Sequence, residues 1–473
     1  MAGPRRYDVA IIGLGSAGLT AASTAAALGL RTLAIERDRA GGDCLWSGCV
    51  PSKTLIASAR AAAVARDAGR LGVKVGEVEV DREAVWKRIA AVREEIAASD
   101  DNLDRYRELG VDIREGPARL AGTRAVEIGG EAYRTKRIVI ATGSRPRLPD
   151  IEGITAADPL TTDTLWDLPG PPSELAILGA GPAGVELAQA FNRIGTKVTL
   201  IHRHDRILPR HERALAEVIE RQLVDEGVAV LAGVDVEEAQ QVEAGARRLT
   251  GKLEGEDWSL ESEQLLVCCG RLPNLESLDI EGAGIDHGTE GILTDSRSRT
   301  SAKRVYAVGD VAGRTFTHTA GYDGATAIRD LALPGVGRKA AGVPSVVFTD
   351  PELATAGLTY DQALERFPRK RVERLERDLA GSDRARTDGD PPGRVVVVAA
   401  GGRVVGVHML APGAGEAVGG LQREVIARTR LSAMAGRVEA YPTRTIEVQR
   451  AIGDRELERA RRIRSWIPRN PLP

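Results

Sequence analysis

Apolar residues along this chain gather in short runs, and several of these runs are followed by a glycine-rich break and a helical pattern. Tyr7–Ile12 is apolar at almost every position, which suits a strand buried on both faces of a parallel sheet. An alanine-rich stretch to about Leu28 predicts a helix, and Arg31–Ile35 predicts a second strand ending at Glu36. The order returns later, with a strand at Leu175–Leu178, a helix at Val185–Ile194 and a strand at Lys197–Ile201. Further apolar runs at Ile138–Ile140, Leu265–Cys269 and Val305–Val308 read as strands. Repeated strand–helix–strand units predict an α/β fold with two Rossmann-like domains. Past residue 341 the pattern changes. Val343–Phe348 is apolar, Gly393–Val398 and Val404–Met409 flank a Gly401-Gly402 turn as a hairpin, and helices follow near 415–428 and 446–461. This predicts a C-terminal α+β domain. Residues 381–393, rich in Gly, Asp and Pro, read as a mobile loop.

The breaks after the first strands of the two repeats carry chemistry. Gly13-Leu14-Gly15-Ser16-Ala17-Gly18 sits between strand and helix, with an acidic residue, Glu36, at the end of the next strand. Gly13 makes the tight turn, Gly15 lets backbone approach a pyrophosphate, and Gly18 permits close packing. The helix N-terminus attracts phosphate, and Glu36 suits a ribose hydroxyl. Gly179, Gly181 and Gly184 repeat the spacing. Two such loops imply two dinucleotides. The second strand of the second repeat is followed by His202 and Arg203, with Arg206 nearby, where an NAD-preferring site has Asp or Glu. No carboxylate repels a 2′-phosphate there, which favours NADPH over NADH. A solvated basic loop is the alternative.

Two of the four cysteines, Cys44 and Cys49, lie in Gly41-Gly42-Asp43-Cys44-Leu45-Trp46-Ser47-Gly48-Cys49-Val50-Pro51-Ser52-Lys53. On a regular helix their Cα atoms would be about 7.5 Å apart along the axis, beyond the ~7 Å limit for a disulfide. If they bridge, the helix must be distorted, and Gly48 permits that. A helix N-terminus at Cys49 favours a thiolate. Lys53 follows one turn later on the same face.

This stretch resembles the redox-active helix of the class I pyridine nucleotide–disulfide oxidoreductases, which include glutathione reductase, dihydrolipoamide dehydrogenase and mercuric reductase. The resemblance covers nearly the whole chain. Ala141-Thr142-Gly143 is similar to the motif closing the FAD domain, Gly309-Asp310 to the second FAD contact, and Gly270-Arg271-Leu272-Pro273-Asn274 to the segment after the nicotinamide domain. It implies FAD at the first loop, a nicotinamide cofactor at the second, and a homodimer. It further implies that Lys53 pairs with Glu186 beside the flavin, that Cys49 faces the flavin, and that Cys44 exchanges with substrate. His318 falls near the flavin pyrimidine contact, with simple packing as the alternative. The implied division is residues 1–148 and 276–340 for FAD, 149–275 for NAD(P) and 341–473 for the dimer interface.

The chain departs from the pattern at the acid–base motif, which the resemblance implies is supplied by the partner subunit, over the other subunit's disulfide. The segment reads Tyr441-Pro442-Thr443-Arg444-Thr445-Ile446-Glu447. Tyr441 stands in place of His, Ile446 in place of Glu, and Glu447, one residue late, is expected to point elsewhere. A His near pKa 6.5 shuttles protons at neutral pH, whereas a Tyr near 10 is mostly a donor. Tyr occurs at this position in mercuric reductases, whose thiolates bind a soft metal. Neither the terminal cysteine pair of typical mercuric reductases nor their N-terminal carrier domain is expected here, and Pro182 stands in place of a gating Tyr. Cys268-Cys269 read as strand residues.

Composition narrows the reading only slightly. A net charge of −2 over 473 residues gives no argument for nucleic acid, and four cysteines do not suggest a secreted disulfide scaffold. No apolar run approaches the about 18 residues of a membrane span. Arg5-Arg6 ahead of the first apolar run reads as the approach to a strand rather than an export signal. The histidines form no metal-ligand set, and Arg459, Arg461, Arg462, Arg464 and Arg469 read as a solvated helix end. The expectation is therefore a cytoplasmic, homodimeric, NAD(P)H-dependent flavoenzyme of mercuric-reductase-like character. It would reduce a small disulfide or a thiol-bound soft metal through Cys44 and Cys49. Dihydrolipoamide dehydrogenase-like activity and a flavin-bound redox sensor with little turnover are the alternatives.

Overall fold

The computed structural model describes residues 6–242 and 245–464. Arg5 and Arg469 lie outside the described residues. The chain divides into two compact units, one built from Met1–Ser58, Asp81–Gly179 and Val236–Ala340, the other from Ala59–Val80, Ala180–Asp235 and Ala341–Pro473.

In the first unit five parallel strands lie in the order Val305–Ala307, Ile138–Ile140, Val9–Ile12, Thr32–Glu36, Asp112–Glu115. Asp8 separates Val9–Ile12 from a short strand at Arg6–Tyr7, which pairs with Glu131–Thr135 instead. Both faces of the parallel sheet are covered. Val9, Ile11, Ala34 and Val139 pack with Leu19, Ala21 and Ala22 of helix Ser16–Ala27 and with Ala327 and Ile328 of helix Thr317–Ala332. Ala10, Ile12, Leu33 and Ile35 face the opposite side and meet Val126 and Leu278. This two-sided burial explains the unbroken apolar runs. The strand Glu174–Leu178 pairs in parallel with Gln264–Val267. Cys268 and Cys269 follow that strand rather than completing it.

In the second unit helix Pro182–Arg193 leads to Lys197–His202, which pairs in parallel with Ala229–Ala232. A five-stranded antiparallel sheet runs Ser345–Val347, Glu352–Gly357, Arg403–Ala411, Arg394–Ala400, Val372–Asp378. Val418, Leu421 and Val425 of helix Ala414–Ala427 cover it, with Val448 and Ile452 of helix Ile446–Arg464. The expected hairpin is present as Arg394–Ala400 and Arg403–Ala411. The segment read as a mobile loop is different. It holds a helix at Asp383–Asp388, capped by the Ser382 hydroxyl, which accepts from the Ala385 amide. Arg444 ties it down through Asp388 and Asp390.

Candidate active site

The first fingerprint opens onto a cavity of about 380 Å³ in the first unit. Gly13, Gly15, Glu36, Gly41, Gly42, Cys44, Thr142, Gly143, Asp310 and Thr317 all line it. Gly13 takes φ +94°, and a Cβ there would lie 2.5 Å from the Ala141 carbonyl oxygen. A Cβ on Gly18 would fall 1.8 Å from the Gly13 oxygen, so only glycine lets the helix seat against the loop. Gly15 has a different reason. A side chain there would approach only Gly42 Cα, at 3.7 Å, so its absence leaves room in the cavity. No side chain caps the helix that begins at Ser16. Its first amides are free for an anion. These features fit a dinucleotide diphosphate.

Glu36 is buried and already engaged. Its carboxylate accepts from the Leu14 amide at 2.7 Å and from the Arg37 and Asp38 amides at 2.8 and 3.0 Å. It therefore braces the fingerprint loop as well as lining the cavity. At the other end, Asp310 accepts from the Ser144 hydroxyl at 2.6 Å, and Arg271 donates to Ser144. Arg271 also pairs with Asp43, the neighbour of Cys44. The Thr142 hydroxyl donates to the Asn274 carbonyl, and the Asn274 amide returns a bond to Thr142. Gly270 does not line the cavity. It takes φ +101°, and its carbonyl accepts from the Arg147 amide.

The cysteines sit at a break between helices Gly42–Trp46 and Cys49–Asp67. Ser47 and Gly48 interrupt the spiral, and both of their amides donate to the Asp43 carbonyl. A Cβ at Gly48 would lie 3.1 Å from that carbonyl oxygen. The break brings the two thiols into hydrogen bonding with each other. That bond, then burial, raises the Cys44 thiol far above the usual thiol range, while the Thr317 hydroxyl opposes the rise. Negative charge in the reduced pair is thus disfavoured on Cys44, and Cys49 opens a helix, where a thiolate is favoured. Thr317 Oγ1 lies 3.4 Å from Cys49 Sγ. Thr317 was not singled out in the sequence. His318, which was, is exposed, outside the cavity lining, and stacked on Phe316 with ring centroids 5.3 Å apart. Lys53 is one turn beyond Cys49 and half-buried.

The second fingerprint shows the same logic. Gly179 takes φ +114°, and a Cβ there would lie 2.5 Å from the Cys268 oxygen. Gly181 precedes helix Pro182–Arg193, has no side-chain cap and has open space where a Cβ would be. Gly184 is buried in that helix. These residues too fit a dinucleotide phosphate. Glu186 is buried in the same helix and accepts from the Phe348 amide at 2.9 Å. His202 is buried, and burial lowers its pKa, so at neutral pH it carries no charge for a phosphate. Arg206 is also buried and donates to the carbonyls of Leu208, Pro209 and His211. Arg203 alone of these three is exposed.

In the C-terminal segment Tyr441 is 64% exposed, and its hydroxyl donates to Asp383 Oδ2 at 3.1 Å. Glu447 turns inward. It is buried and held by Arg377 and Arg450. Its carboxylate is engaged in these two ion pairs. No group of three or more candidate ligands for a metal occurs among the described residues, and no helix among them is long and apolar enough to cross a membrane.

Two dinucleotide cradles and a paired cysteine at the edge of one of them define an oxidoreductase that uses a flavin and a nicotinamide cofactor. The chain belongs to the pyridine nucleotide-disulphide oxidoreductase family, which matches residues 7–325, with the family's dimerisation domain matching residues 343–452. The family uses FAD and NAD(P)H, and its dimerisation domain implies a homodimer. Among curated relatives, mercuric reductase of Lysinibacillus sphaericus is 34% identical over 87% of this chain and 76% of its own length. Dihydrolipoyl dehydrogenase of Bacillus subtilis (strain 168) is 32% identical over 86% and 89%. Among solved structures, the HOCl-induced flavoprotein disulfide reductase RclA from Escherichia coli superposes with a TM-score of 0.81 at 27% identity, covering 95% of this chain and 99% of its own. Its Cu(II) complex gives 0.82 at 26% identity, covering 95% and 99%.

Proposed function

We propose that the protein is a cytoplasmic NADPH-dependent reductase of small disulfides or thiol-bound soft metals. The observation that carries this reading is the pair of hydrogen-bonded thiols on the wall of a dinucleotide cavity, combined with Tyr441 in place of an acid–base histidine. FAD, when bound, supplies two-electron exchange between the nicotinamide cofactor and the cysteine pair. Gly13, Gly15, Gly18, Glu36, Thr142, Gly143 and Asp310 would hold it, with Lys53 and Glu186 assigned beside its ring; His318, stacked on Phe316 outside the cavity lining, is read as packing rather than as the expected flavin contact. Gly179, Gly181, Gly184, Gly270, His202 and Arg203 are assigned to the nicotinamide cofactor. The uncapped start of helix Pro182–Arg193 supports a dinucleotide diphosphate there, and the exposed Arg203 supports a 2′-phosphate and so NADPH. His202 contributes shape rather than charge.

Two electrons and two protons convert the Cys44–Cys49 disulfide to the dithiol. Cys44 loses its proton as it attacks a substrate disulfide, forming a mixed disulfide and releasing one substrate thiol that takes that proton up. Cys49 then attacks Cys44, restoring the bridge and releasing the second thiol. A soft metal ion is instead taken up by thiolates. Tyr441 is assigned to the acceptor side of the partner subunit's cysteine pair. The domain division of the sequence is retained for this scheme: FAD on 1–148 and 276–340, NAD(P) on 149–275, interface on 341–473.

The deciding experiment is steady-state NADPH oxidation by the holoenzyme with lipoamide, glutathione disulfide, Hg²⁺ and Cu²⁺ as acceptors. Stimulation by a metal–thiol complex or a small disulfide, abolished in Cys44→Ser, supports the reading. No stimulation by any acceptor would point to a sensor. Preferential turnover of lipoamide would favour dihydrolipoamide dehydrogenase-like chemistry, the class of the second curated relative.

A further inference from the structure

The Tyr441 hydroxyl is spoken for within its own subunit. Its hydrogen goes to Asp383 Oδ2 at 3.1 Å, although the ring is largely exposed. Asp383 is not a loose surface carboxylate. It opens helix Asp383–Asp388, whose start is fixed by the Ser382 cap. The end of that helix is fixed by Arg384, which donates to Asp388 at 2.6 Å. Arg444, three residues beyond Tyr441, donates to Asp388 at 2.8 Å and to both oxygens of Asp390 at 2.6 and 2.7 Å. The Tyr441–Arg444 segment and the 383–390 segment are therefore joined at two points, and the phenol is held by one of them. A phenol oxygen has one hydrogen to give and lone pairs to receive. With the hydrogen committed to Asp383, the oxygen is left as an acceptor.

We propose that Asp383 is the positioning residue for Tyr441, fixing its ring and making its oxygen a hydrogen-bond acceptor for a thiol S–H at the acceptor site. The carboxylate takes the place of the glutamate that the motif lacks at Ile446. The inference rests on the assignment of Tyr441 to that site. The charged groups acting on the phenol are Asp383, which raises its pKa through the hydrogen bond, and Arg450, which opposes the rise. Removing Asp383 therefore lets Tyr441 ionise at lower pH.

The test uses the dimeric, FAD-loaded enzyme with whichever acceptor the wild-type protein reduces. Asp383→Ala should lower kcat for acceptor reduction about 10-fold or more through lost orientation. It should leave flavin reduction by NADPH unchanged. Asp383→Asn, nearly isosteric, guards against misfolding; it should keep part of the rate and shift the ultraviolet titration of the Tyr441 phenol to lower pH. That shift should be absent when Tyr441→Phe is combined with it. The double variant Asp383→Ala, Tyr441→Phe should be no slower than Tyr441→Phe alone. Multiplicative losses in the double variant, or an unshifted phenol titration in Asp383→Asn, overturn the inference while leaving the role of Tyr441 intact. A native rate in Tyr441→Phe overturns both.

Discussion

At the scale of single residues, the redox pair is controlled by a few contacts that spacing alone does not display. C-x4-C on an unbroken helix would hold the thiols apart. The Ser47–Gly48 interruption, with two amides converging on the Asp43 carbonyl, brings them together. Thr317 then supplies a hydroxyl from another element to both sulfurs. A hydrogen bond to the charged form of an acid favours ionisation. Thr317→Val keeps the shape and removes the hydroxyl, so the Cys44 thiol should rise further. We expect alkylation of the reduced pair by iodoacetamide, which reads the first thiolate to form, to shift its pH dependence upward, because the hydroxyl serves Cys49 as well as Cys44. An unchanged pH profile in a variant that retains FAD would remove Thr317 from the thiol chemistry.

At the scale of elements, each fingerprint is legible because backbone geometry demands glycine. Gly13 and Gly179 stand at positive φ against a carbonyl just past the end of a neighbouring strand, Gly15 would meet only Gly42 Cα, and Gly181 faces open space. The strand ending in His202 shows where sequence falls short. A histidine followed by an arginine suggests two cations, but the fold buries the first and exposes the second. Burial depends on neighbours distant in sequence. The same holds for 381–393, whose Gly, Asp and Pro content suggested a loop. Its order comes from Arg444, more than fifty positions away, which no local pattern displays. His318 and Thr317 differ similarly, since the register of a helix start decides which side chain meets the sulfur. From this arrangement, Arg203 alone should set cofactor choice. Arg203→Glu should lower kcat/KM for NADPH by about 10-fold or more, since one charged contact to a phosphate contributes about 1.5–3 kcal/mol. His202→Gln should leave the NADPH-to-NADH ratio nearly unchanged. Stopped-flow flavin reduction with each cofactor reads both, and a native preference for NADH would remove the argument.

At the scale of the whole molecule, stability toward acid is set in part by two histidines of the second unit that no proposed catalytic step uses. His408 lies in the central strand of the antiparallel sheet and is completely buried, and burial holds its pKa down to about 4. Its Nε2 bonds the Leu358 carbonyl at 2.9 Å, and its Nδ1 has no partner. Protonation would place a second N–H where nothing accepts it. His211 is likewise held at about 4, first by burial and then by repulsion from His408, Arg206 and Arg210. In the unfolded chain both rings titrate near 6.5. Above that pH neither state binds the protons, and these histidines cost nothing. As pH falls from about 6.5 to about 4 the unfolded chain takes up protons that the folded chain refuses, so stability drops through that window. Below about 4 both states are protonated and the loss is complete, at about 3 kcal/mol for either ring taken alone. Mutual repulsion makes the two losses interdependent. His408→Gln preserves a donor for Leu358 and removes the titration. Its urea midpoint should be lower than native at pH 7.5, from imperfect packing, but should fall less steeply down to pH 5. Parallel midpoint-versus-pH curves for the native and variant holoenzymes would show that His408 does not sense acid.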